Sequence, residues 1–148
     1  MLNPALLAMV TAAAAEEYTR ATDDPMPWPL AFIVSPLTLH RDTREALPKR
    51  TTSHWARWVA DHPVLAAGFP ARARSLTDPI KEGIRFGLAN GALIVADGGG
   101  FYGRLAERAR PAKVGDIASV VHAAGFVGKW LTKFDQPATA FALLGVTP

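Results

Sequence analysis

The side chains able to do chemistry in this chain are scattered. Its four histidines, His40, His54, His62 and His122, form no recognised metal-ligand spacing. His54 and His62 come nearest, eight residues apart, and an expected helix break at Asp61-His62-Pro63 separates them. The chain has no cysteine, which excludes thiolate zinc sites, disulfide scaffolds and cysteine nucleophiles. No serine stands in a Gly-x-Ser-x-Gly setting, so the strained turn that exposes an esterase nucleophile is missing. Gly98-Gly99-Gly100 invites a phosphate-loop reading but lacks the Gly-Lys-Ser/Thr ending. It also joins two apolar runs, where a nucleotide loop would lead into a helix. The expectation is a protein that is not an enzyme, with no catalytic, cofactor or metal site.

Charge is more informative in its placement than in its sum of +3. Residues 41–57 carry Arg41, Arg44, Lys49, Arg50 and Arg57 against Asp42 and Glu45, a local +3. Residues 104–113 carry Arg104, Arg108, Arg110 and Lys113 against Glu107, another +3. Because the total is +3, the remainder sums to −3. Two basic patches on a mildly acidic body point to local contacts with anionic surface. Arg104, Arg108, Arg110 and Lys113 are therefore candidate DNA-backbone contacts.

The elements that must position these residues begin with Asn3-Pro4, which opens a helix running to Glu16 or Glu17. No Lys or Arg precedes its apolar stretch, unlike a signal peptide, and the stretch is too short to span a bilayer. Its alanines 12–15 permit close approach of a neighbour. Asp23 to Pro29 holds three prolines in seven residues and reads as an extended connector. Leu30 to Val34, five apolar residues ended by Ser35-Pro36, reads as a buried strand. His40 to Arg50 reads as a basic loop. Thr52-Ser53 is expected to cap a short helix with Trp55, Trp58 and Val59, and Pro63 to start another that Pro70 kinks or divides.

Asp78-Pro79 reads as a new start, Asp at the N-cap and Pro at the first helical position. Ile80, Ile84, Gly87 and Leu88 share one face, opposite Lys81, Glu82 and Arg85. Asn90-Gly91 supplies a left-handed stop. Leu93-Ile94-Val95 and Phe101-Tyr102 then form a hairpin around Asp97 to Gly100. Asp116 is expected to cap an amphipathic helix through Ile117, Val120, Val121, Ala124, Val127, Leu131 and Phe134. Gly125 and Gly128 within it each cost about 1 kcal/mol against alanine, reasonable only where another backbone packs closely. Gln136-Pro137 starts a last helix that Gly145 ends, with an apolar terminus expected to dock.

This order predicts an α+β, mostly helical fold over a single domain, residues 1–148. Helix then hairpin is how a winged-helix module ends, with the hairpin Leu93–Arg104 as its wing, Leu30–Val34 as its third strand, and helices flanking at both ends. The helix ahead of the wing exposes only Lys81 and Arg85, with Glu82 between them, too few cations for sequence-specific DNA readout. Among four tryptophans, Trp28 in its proline-rich connector is the best interface anchor.

Several blocks together resemble the middle component of three-component ABC systems, the group that includes Lamassu-type anti-phage defence operons. They are Asn3-Pro4-Ala5-Leu6-Leu7, Pro27-Trp28-Pro29-Leu30-Ala31-Phe32 through Leu39-His40-Arg41, and Thr43-Arg44-Glu45-Ala46-Leu47-Pro48. Further along come Gly68-Phe69, Ala71-Arg72-Ala73-Arg74-Ser75-Leu76, Gly128-Lys129-Trp130, and Phe141-Ala142-Leu143-Leu144-Gly145-Val146 with Pro148. Pro70 is a departure, falling where relatives continue a helix. The resemblance implies an accessory subunit without catalytic residues, and the lack of cysteine is compatible with a cytoplasmic location. It would bridge an SMC-like ABC ATPase and an effector, often a nuclease, meeting DNA indirectly and no membrane. Trp28, Arg41, Arg44, Arg72 and Arg74 are the candidate protein contacts within the matching blocks. The alternative is a free-standing winged-helix DNA-binding protein.

Overall fold

An alanine-rich helix forms the axis of the computed structural model, which describes residues 2–105 and 115–146. α1 (Pro4–Thr22) starts where the Asn3 side chain accepts the Ala5 N–H at 2.9 Å. It runs about one and a half turns beyond the expected end, to a left-handed Asp23 (φ 63°) whose N–H donates to Thr19. Residues 10–15 are buried on every side. α6 and α5 flank this helix, α2 lies against it, and the hairpin crosses over it. Methyl-sized side chains let two glycines reach its backbone. A Cβ on Gly128 would overlap the Ala14 carbonyl, and one on Gly103 the Ala12 carbonyl. The expected close approach at Gly128 is thus to α1, while Gly125 faces the more yielding side chain of Glu17.

The connector after α1 is extended as expected, and Met26 exchanges both backbone hydrogen bonds with Phe101, at 3.0 and 2.8 Å. The expected strand Leu30–Val34 is helix instead: a 3-10 turn, Trp28–Leu30, runs into α2 (Ala31–Leu39). Ala31, Ile33, Val34 and Leu37 are all buried, so the helix has no polar stripe among these positions and its pattern imitates an interior strand. The expected loop 40–50 contains α3 (Arg41–Ala46), whose N-terminus is capped by His40 Nδ1 accepting the Thr43 N–H at 3.3 Å. α4 (Trp55–Asp61) starts after His54, without the expected side-chain cap from Thr52 or Ser53.

The two helices expected over 63–76 and 79–90 are one, α5 (Pro63–Ala89), with Pro70 and Pro79 inside it. Asp78 is accordingly a mid-helix residue and not an N-cap. Phe69, Ala73, Ile80, Gly83 and Gly87 are buried along both sides of the prolines, and this shared stripe outweighs the two missing N–H donors. Gly83 and Gly87 face Leu7 and Ala8 of α1. Gly91 (φ 76°) makes the expected left-handed turn into the hairpin. β1 (Leu93–Val95) and β2 (Phe101–Gly103) pair antiparallel, Leu93 opposite Gly103 and Val95 opposite Phe101. Gly98 (φ 90°) and Gly99 (φ 93°) form the tip.

α6 (Asp116–Trp130) begins with Asp116 as its first residue and Gly115 as its cap. It passes into a 3-10 turn, Leu131–Lys133, before Phe134. α7 (Pro137–Leu143) starts with Pro137 and ends before Gly145 (φ 75°), with Phe141 and Leu144 buried as the docked terminus requires. The protein is α+β and mostly helical: among the described residues, seven α-helices accompany one two-stranded sheet. The helix-then-hairpin succession of a winged helix is present, but the third strand it needs is α2.

Candidate partner interface

Three tryptophans are internal. Trp55 and Trp130 stack with ring centroids 3.4 Å apart, and Trp58 meets Trp130 edge-on at 5.7 Å. Each indole donates to a backbone carbonyl: Trp55 to Trp130 at 2.9 Å, Trp130 to Ser53 at 2.8 Å, and Trp58 to Ala46 at 2.9 Å. Such pairing is what buried indoles require. Trp28 differs, being 52% exposed.

Trp28 stands at the start of the 3-10 turn, one helical turn before Phe32, and the rings meet edge-on at 6.2 Å. Both line a groove of about 410 Å³, together with Pro29, Ala73, Arg74, Thr77, Phe141 and Val146. The hairpin tip reaches the same indole, since a Cβ on Gly99 would lie 3.5 Å from Trp28 Cδ1. The groove therefore joins the connector, α5 and the chain's last apolar residues. Ile94 and Tyr102, paired across the hairpin, add a second exposed apolar spot on its outer face.

Of the residues expected to touch a partner, the fold brings Trp28 and Arg74 together in this groove. Arg41 projects from α3 with its side chain 79% exposed, and its Nε donates to Glu45 at 2.9 Å. That hydrogen bond, with the Glu45 charge, raises the Arg41 pKa. Arg44 and Arg72 are engaged within the chain. Arg44 Nη1 donates to the Thr38 carbonyl at 2.8 Å, and Arg72 Nη2 to the Leu65 carbonyl at 3.0 Å and Thr43 Oγ1 at 3.4 Å. Burial lowers the Arg72 pKa. Phe32, Phe141 and Val146 were not singled out by sequence. The spacing of Trp28 and Phe32, four apart, marks them as neighbours once that segment is read as helical.

Arg104 lines a separate depression with Glu16, Met9 and Phe86, and its N–H donates to Ala92 at 2.7 Å. Arg108, Arg110 and Lys113 lie outside the described residues. On α5, Arg85 pairs with Glu82, which reduces the positive field of that face. His40 and His62 are occupied locally, His62 Nδ1 lying 2.8 Å from the Trp58 carbonyl oxygen. Among the described residues no three His, Asp or Glu side chains come together at a metal-binding spacing. No described helix is long and apolar enough to cross a membrane.

The family model of the ABC-three component (ABC-3C) system Middle Component 3 matches residues 1–148. The chain belongs to this family. No curated protein and no solved structure matches it. A middle component works alongside the other components of its system, so the surfaces that matter are those left for them. In this middle component the groove at Trp28 combines a large exposed aromatic, a mostly apolar lining and one arginine.

Proposed function

We propose that this middle component is a non-catalytic bridging subunit of a Lamassu-type anti-phage defence complex. It binds an SMC-like ABC ATPase and regulates an effector, in many such systems a nuclease. The observation that carries the reading is the family match over residues 1–148. Residues 1–148 act as one folded unit, and Trp28 with Arg74 forms the principal contact. Arg41 is a peripheral one, where an exposed charge affects encounter more than affinity. DNA is met through the ATPase.

The test is co-expression of all three components with a tag on the middle one. The ATPase is expected to co-purify, and Trp28→Asp to reduce its recovery by about tenfold or more, the loss typical of an interface anchor. Unchanged far-UV circular dichroism would show that the variant still folds. Deleting the middle component should also abolish protection against phage in a plaque assay. A strictly monomeric protein that ignores both other components would defeat the proposal.

A further inference from the structure

The groove at Trp28 is one-sided in its hydrogen bonding. Four of its lining side chains, Phe32, Ala73, Phe141 and Val146, hold no polar atom. Two donors belong to its lining residues, the Arg74 guanidinium and the Trp28 indole Nε1–H, the latter on the ring edge beside the Gly99 tip. The other three indoles all donate to carbonyls, whereas Trp28 Nε1 has no acceptor among the described residues. Arg74 likewise has no hydrogen bond or ion pair among them, although Asp78 follows one turn later on the same helix. The remaining polar lining group, the Thr77 hydroxyl, is turned to the Ala73 carbonyl at 3.0 Å.

A slot that offers donors and apolar surface is complementary to a ligand that brings an acceptor and an apolar body. We infer that it receives an acidic–apolar segment of another component. A bulky apolar side chain would sit against Trp28, Phe32 and Phe141, and a flanking Asp or Glu carboxylate would accept from Arg74 and Trp28 Nε1. The inference rests on the middle-component reading and adds the chemistry of what is bound. The volume of about 410 Å³ falls in the range of small-ligand sites, enough for a bulky apolar side chain together with a flanking carboxylate. A charge-assisted bond to a guanidinium supplies the selectivity for a carboxylate. A duplex backbone fits poorly, because one arginine among apolar groups neutralises few phosphates.

Two probes of the same ring and opposite charge test this on the isotope-labelled full chain: indole-3-acetate and tryptamine. Indole-3-acetate is expected to shift the Trp28 Nε1–H and Arg74 side-chain signals. Tryptamine should need about fivefold or more higher concentration for the same effect. Arg74→Gln, an exposed-surface change, should erase that difference while leaving the remaining spectrum in place. Equal response to both probes, or shifts confined to other surfaces, overturns the inference. So do the same signals moving with a short DNA duplex at low salt, or self-association that Trp28→Ala abolishes. A chain that still co-purifies with its other components while ignoring indole-3-acetate refutes the groove chemistry and leaves the subunit reading standing. Failure of the wild-type chain to co-purify refutes that reading instead.

Discussion

Gly125 and Gly128 lie on one stretch of α6, and their expected responses to alanine are opposite. At Gly125 a Cβ would meet Glu17 Cγ at 3.2 Å, a flexible side chain that can give way. Gly125→Ala should therefore recover helix propensity and raise stability by up to about 1 kcal/mol. At Gly128 the same atom would fall on the Ala14 carbonyl, which is backbone and cannot move alone. Gly128→Ala should cost about 3 kcal/mol or fail to fold, as forced overpacking does. Urea unfolding of the two variants side by side reads the contrast. Tyr18 gives a pH signature: burial, then the nearby Asp24, raises its pKa above the ordinary 10.0. A group whose pKa is higher folded than unfolded contributes stability below its unfolded pKa and loses it as pH rises through the folded one. Wild type should thus weaken more steeply above pH about 10 than Tyr18→Phe, measured by thermal unfolding across that range.

At the scale of elements, α5 carries the sharpest expectation. Pro79 lies inside the helix and deprives the Ser75 carbonyl of its N–H partner. Pro79→Ala should raise the melting temperature, by an amount equivalent to about 1–3 kcal/mol. Pro70 should return less, because its ring also lies near the end of α7, 3.5 Å from where a Gly145 Cβ would be. Local signals read α5 as two helices because proline chemistry is written in neighbouring residues, while the stripe from Phe69 to Gly87 that overrides it depends on α1. α2 was misread for a related reason. Apolar residues buried on all sides have no period to reveal, and prolines bound strands and helices alike. The hairpin, its left-handed turns, the Pro63 and Pro137 starts and the glycine approach on α6 were legible, since turn and cap residues act within a few positions. Trp28 and Arg74 were visible individually. That they share one groove is not legible, because the apolar run around Phe32 reads as a strand.

For the molecule as a whole, α1 is the shared wall of the two largest interfaces, those with α6 and with α5. Its alanines are buried by α6, α5 and the hairpin, elements that lie far along the chain. A fragment ending at residue 105 lacks α6 and would leave much of that helix uncovered. It is expected to show reduced helicity and no cooperative melting transition, against a single sharp transition for the full chain. Circular dichroism with temperature decides this. The embrace of α1 by α6 also has a kinetic meaning. Residues 4–22 cannot be sealed until residues 116–130 pack against them, so these contacts carry a high contact order and form late in folding, after the local turns and the hairpin.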